Sequence, residues 1–97
     1  MDQAIRKKWL IALRSGEFEQ GRMQLKLDSE GGSHKYCCLG VLAEVCEFEY
    51  SGLDDKIENE QRETIGLSAK HQDELIGFND SDRWGFNQIA DWIEEKL

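Results

Sequence analysis

The residues with the most reactive side chains, His34, Cys37, Cys38 and Cys46, lie close together in the chain. Zinc takes Cys and His ligands tetrahedrally, so the group invites a metal reading. The spacing argues against it: there is no Cys-x-x-Cys pair, and adjacent cysteines project in different directions from either a helix or a strand. A nucleophilic thiol needs a neighbouring base and an electropositive, partly exposed niche. His34 sits beside the Gly31-Gly32 turn and reads as a surface residue. The thiols therefore read as buried groups that pack like small hydrophobes. No catalytic residue, metal ligand or cofactor is expected from them.

Asp80 to Asp91 echoes a calcium loop, with acids at its first, third and twelfth positions and glycine at its sixth. Trp84 stands at a ligand position and Asn87 where an apolar residue belongs, so a loop capping the last helix explains these residues better. The segment from Arg14 to Arg22 has different chemistry. Arginine offers bidentate donors and glycine permits close backbone approach, so Arg14, Gln20 and Arg22, with Tyr36, are candidates for holding a nucleotide or other phosphate compound. The competing reading gives Gly16 and Gly21 to chain turns and Arg14 to the carbonyls at a helix end.

Charge separates along the chain. Residues 1–27 carry six basic and three acidic side chains, and the remaining seventy carry six basic and seventeen acidic. Phosphate binding needs clustered Lys and Arg, so a direct, unselective grip on nucleic acid is disfavoured over most of the surface. Two readings of the acidic face remain: a solvated surface that keeps a small protein soluble, or a surface aimed at a partner, a host protein with a basic surface. Its candidate contacts are Glu44, Glu47, Glu49, Asp54, Asp55, Asp80 and Trp84. Trp92, on the flank of the last helix, is either a further contact or core filler.

These residues need elements to position them. The 97 residues, 39% of them hydrophobic, suffice for one modest core, so a single domain over 1–97 is expected. Asp2 caps a helix to Ser15, with Ile5, Trp9, Ala12 and Leu13 on one stripe and Gly16 closing it. Met23, Leu25 and Leu27 alternate with Gln24 and Lys26, and the turn-rich stretch Asp28 to Ser33 leads to a return strand over His34 to Cys37, a β-hairpin. Cys38 to Cys46 reads as a buried helix, with Gly40 admitting a close neighbour. Residues 51–66 read as a polar loop, with a short strand near Phe48 to Tyr50. Ser68 caps a helix that stops at Gly77, Asn79 to Gly85 is a loop, and Phe86, Ile89, Ala90, Ile93 and Leu97 mark a terminal amphipathic helix. The fold class is α+β.

No apolar run spans a membrane, no secretory leader is recognised, and an odd cysteine count with an adjacent pair suits reduced thiols. A cytoplasmic protein is expected.

Three blocks carry a resemblance: Trp9 with Ala12 to Gly21, Tyr36-Cys37-Cys38-Leu39-Gly40-Val41-Leu42, and Phe78-Asn79-Asp80 with Phe86 to Asp91. Together they resemble a family of small proteins marked by a "YCCLGVL" core and common in bacteriophage and prophage genomes. Two departures stand out: Asp82 and the later Gly85 where the family has glycine soon after Asn-Asp, and Ala43 where cysteine commonly follows the Leu42 position. The resemblance implies a setting and no reaction. The expectation is a small, acidic, non-enzymatic binding protein that sequesters or inhibits a host factor, anti-phage defence being one such class. The alternatives are a small-ligand module, which could be a homo-oligomer, and a small enzyme or metal protein using Cys37, Cys38 or Asp80.

Overall fold

The structure, a computed structural model, describes residues 1–97 apart from the side chain of Glu30. It is α+β, with helices packed beside one small sheet. Helix α1 spans Gln3–Arg14 and begins where Asp2 accepts from the Ile5 amide at 2.9 Å. It buries Trp9, Leu10 and Leu13, and Gly16 follows its cap at φ 77°, a conformation that costs glycine little.

The expected hairpin is present as β2 (Lys26–Asp28) against β3 (His34–Tyr36), antiparallel, with Leu27 opposite Lys35. A 3-10 turn at Glu30–Gly32 joins the two. A short strand β1 (Glu19–Gln20), not anticipated from the alternation, lies parallel to β3, so β3 is central. Two residues offer too short a pattern for a period to register. The alternation also fails at Met23, which is 71% exposed while Leu25 is 1% exposed. Met23 has φ 75°, so the backbone reverses its pleat there.

Helix α2 (Cys38–Val45) is buried on nearly every side, from Cys38 through Ala43. Cys37 caps it through sulfur, which accepts from the Gly40 amide at 3.4 Å. Gly40 is there for space: a Cβ at that position would overlap the Leu25 carbonyl group. One side of α2 packs on α1 and another on β3, while α1 also packs on the terminal helix.

Three expectations need correction. The polar stretch before Gly66 contains a helix, α3 (Asn59–Ile65), which buries only Ile65 and so shows no apolar period. Its readable mark is Gly66, whose φ of 72° closes it. Residues Phe48 to Tyr50 form no strand; the Phe48 amide instead donates to Ala43 O at 3.0 Å and closes α2. Helix α4 (Ala69–Ile76) starts at Ser68 and is capped at Gly77 as expected; the correction falls on the loop expected over Asn79 to Gly85, whose first residues belong to a π-turn over Gly77–Ser81. The terminal helix α5 (Phe86–Lys96) buries Phe86, Ile89, Ala90 and Ile93. Among the described residues no helix is long and apolar enough to cross a membrane.

Candidate functional site

The π-turn presents Asn79, fully buried, to the rest of the fold. Its Oδ1 accepts from the Cys38 backbone amide at 3.2 Å and from Gln20 Nε2 at 2.9 Å. Its Nδ2 donates to Gly21 O at 2.9 Å and to Asp80 Oδ1 at 2.8 Å. Every polar capacity of the carboxamide is used. The three sequence blocks that carry the resemblance thus meet at one side chain. Gln20 also donates to Trp84 O at 2.8 Å, closing the loop that follows the π-turn.

Asp80, half-buried, stands next to this knot. The Met23 amide donates to its Oδ1 at 3.0 Å, and two residues on, the Leu25 amide donates to Asp54 O at 2.6 Å. The Lys26 amide then donates to Gly52 O at 3.1 Å. Residues 23–26 therefore hold two distant acidic segments, the Asp80 turn and the 52–54 loop, against one short length of backbone. Met23 and Leu53, 71% and 81% exposed, are the apolar members of that surface. Asp54 and Asp55 are exposed beside Leu53, and Glu47 and Glu49 are exposed on the connection leading to it.

Glu44 takes a different position. It lines a polar groove of about 510 Å³ with Gln24, Lys26, Leu27, Asp28, Tyr50, Gly52 and Leu53. Burial and the nearby Glu44 carboxylate raise the pKa values of both Tyr36 and Tyr50. Trp84 is half-buried, and its ring stacks on Phe78 at 4.0 Å and 7°. Phe78 in turn meets Trp92 at 5.0 Å, so Trp92 is part of an aromatic row.

The phosphate candidates are dispersed. Arg14 bonds Asp91 at 2.7 Å and Glu94 at 3.1 Å across to α5, and these partners raise its pKa. It meets carboxylates, where the sequence suggested helix-end carbonyls. Gln20 and Tyr36 are register partners on β1 and β3, but the Gln20 amide is committed to Asn79 and Trp84. Tyr36 packs edge-on against Phe18 at 5.2 Å, with Lys26 Nζ 5.8 Å from its ring centroid. Arg22 keeps a buried Nε without a hydrogen-bond partner.

The thiols are spent on packing. Cys37 and Cys38 are buried, and Trp9 Nε1 donates to Cys38 O at 2.9 Å. Burial pushes the Cys37 thiol up to about 11 and holds Cys38 well above its ordinary value. His34 lies on the surface and contacts Asp28 at 2.8 Å. Among the described residues, no group of three or more His, Cys, Asp or Glu is placed to hold a metal ion.

Sequence reasoning missed Asn79 as the joint of the fold, and Gln24, Lys26, Asp28 and Tyr50 as walls of the polar groove. The Asn-Asp pair was visible as part of a resemblance, but nothing local announced its long-range partners. No curated protein and no solved structure matches the chain. Residues 1–52, more than half of the chain and including its first two motif blocks, match the family described as Domain of unknown function (DUF8296), and the chain belongs to that family.

Proposed function

We propose that this chain is a small, acidic, non-enzymatic binding protein of phage or prophage type. It acts in the cytoplasm of the host cell by sequestering or inhibiting a host factor with a basic surface, a component of anti-phage defence being the candidate class. The observation that supports this reading is the surface assembled on residues 23–26, where Asp80 and the Leu53-Asp54-Asp55 loop are fixed to the same backbone. Exposed Met23 and Leu53 supply apolar contact, and the surrounding carboxylates supply attraction for a basic partner. Burial of the Cys37 and Cys38 thiols, which disfavours the thiolate, weighs for binding over thiol chemistry. The ion pairs of Arg14 with Asp91 and Glu94 weigh against a phosphate pocket built on that arginine.

The test compares the wild-type chain with Asp54→Lys/Asp55→Lys and Leu53→Asp variants. The wild-type chain is expected to retain a basic protein from host extract and to support phage growth on a defended host. The variants, whose changes lie at exposed positions, should lose both while keeping their melting temperature. Equal retention and equal phage growth with all three proteins would remove the proposal.

A further inference from the structure

Helix α1 has two sides. Trp9 and Leu13 are buried in the core, while Arg6, Lys7, Leu10, Ile11 and Arg14 recur at three- and four-residue spacing and, with Glu94 of α5, line an open groove of about 670 Å³. Ile11, midway along that row, is 60% exposed. A single exposed isoleucine is ordinary on a protein surface, but the charges on its two sides differ in sign. Toward the helix start, Arg6 donates to the Glu94 main-chain oxygen at 2.8 Å and Lys7 is exposed. Among the described residues neither cation has a carboxylate within ion-pair distance. Toward the helix end, Arg14 is bonded to Asp91 and Glu94, two exposed carboxylates for one cation. One end of the row is therefore net positive and the other net negative, with an apolar step between them.

We infer that this face is a two-fold interface between two copies of this chain. In such a contact residue i meets residue j and j meets i, so the patch must carry its own complement. Ile11 lies four residues after Lys7 and three before Arg14. A two-fold axis at Ile11, with the two α1 helices antiparallel, sets Lys7 of each copy against the Arg14, Asp91 and Glu94 cluster of the other. The two Ile11 side chains then meet between these charge contacts, an apolar centre inside a polar rim. A partner of a single sign fits this face less well, since Asp91 and Glu94 oppose an acidic one and Arg6 and Lys7 a basic one. Most of the remaining surface repels a second copy, because residues 28–97 carry six basic and seventeen acidic side chains. The α1 face is separate from the surface on residues 23–26, so the inference does not depend on the proposed host-factor binding.

Sedimentation equilibrium of the full chain tests the assignment. A monomer–dimer equilibrium is expected, with a dissociation constant on the order of tens of micromolar, as suits an interface of one helix face. Raising the salt concentration should weaken it. Ile11→Asp should weaken it by about tenfold or more. Lys7→Glu, which breaks no ion pair within the chain, and Asp91→Lys should each weaken it by about tenfold. The double variant Lys7→Glu/Asp91→Lys restores the contact with its signs exchanged and should dimerise within about threefold of the wild type. These comparisons are made on variants whose far-ultraviolet circular dichroism matches that of the wild-type chain. A monomer at every concentration, a dimer indifferent to Ile11→Asp, or a double variant that associates no better than its single parents would overturn the assignment.

Discussion

The Gln20 carboxamide donates to Asn79 Oδ1 at 2.9 Å, joining the short parallel strand to a π-turn 59 residues later. That one bond belongs to a set in which Asn79 also receives the first amide of α2 and donates to Gly21 O. A buried network in which every member is satisfied fixes a unique arrangement, and it fails sharply when one member is lost. Here it fixes the relation of Asp80 to the backbone at Met23, and hence the shape of the proposed partner surface.

Asn79→Ala should therefore destabilise the chain by ~3 kcal/mol or more, because the Cys38 amide and Gly21 carbonyl lose their partner in a dry site. Asn79→Asp is a sharper probe. The new carboxylate would face Gly21 O and Asp80, so its folded-state pKa would lie above the unfolded value. A group raised in the folded state contributes stability at low pH that is lost as pH rises. Urea unfolding of this variant should give a higher midpoint near pH 4 than near pH 7, after correction for the wild-type pH dependence. The same midpoint at both pH values would show that the site is wetter than the contacts indicate.

Gly40→Ala tests the approach of α2 to the backbone at Leu25, just before β2. Alanine normally favours a helix by ~1 kcal/mol over glycine. At this position the added methyl group would collide with the Leu25 carbonyl, a backbone group that cannot move aside without breaking its bond from the Cys37 amide at 3.2 Å. Overpacking should win, with a net loss of roughly 2 kcal/mol or more, read as a lower thermal midpoint. A higher midpoint would refute the close packing.

The parts of this fold legible in sequence were those with local causes. Asp2 and Ser68 cap because a short oxygen-bearing side chain suits the first turn, and α5 shows because its buried residues recur at helical spacing. The missed parts were decided by tertiary partners. Helix α3 buries one residue and is held by Gln61 donating to Glu49 O and by Arg62 donating to Leu67 O, contacts that leave no period. Strand β1 exists because β3 is available to pair with it. For the candidate site, sequence could mark Asp54 and Asp80 as acidic, but not that residues 23–26 would bring them to one surface. Arg14 looked available because Asp91 and Glu94 are far away in sequence, although near across the α1–α5 contact.

Tyr50→Phe should change stability by no more than about 1 kcal/mol, because the hydroxyl it removes is buried beside the Glu44 carboxylate without a well-formed hydrogen bond. Chemical denaturation measures this directly. A loss above about 1 kcal/mol would mean that the hydroxyl has a partner in solution, with Glu44 the nearest in charge.

Arg14→Gln removes the ion pairs with Asp91 and Glu94 from a surface where the carboxylates are 75% and 60% exposed. Solvent screening should hold the cost below about 1 kcal/mol, and the difference from wild type should shrink in high salt. A thermal-shift screen with nucleotides should respond alike in both proteins. A nucleotide-induced shift present only in the wild type would restore the phosphate reading of Arg14.

The thiols predict an alkaline limit to stability. An exposed thiol ionises near pH 8.5, whereas burial pushes Cys37 up to about 11 and Cys38 well above its ordinary value. Above the unfolded value the unfolded chain releases its thiol protons while the folded chain retains them. The contribution of the neutral thiols is thus fully present below about pH 8.5 and declines as pH rises toward the folded values. The urea midpoint should fall progressively from about pH 9 to pH 11, and the fall should be shallower in Cys37→Ala. Burial raises the Tyr50 pKa as well and acts in the same direction, so the double variant with Tyr50→Phe should flatten the profile further. Iodoacetamide at pH 8 should modify the half-buried Cys46 before Cys37 or Cys38, with the latter two reacting only at the rate of unfolding. Rapid native labelling of Cys37 would show an accessible thiolate and reopen the case for thiol chemistry in this chain.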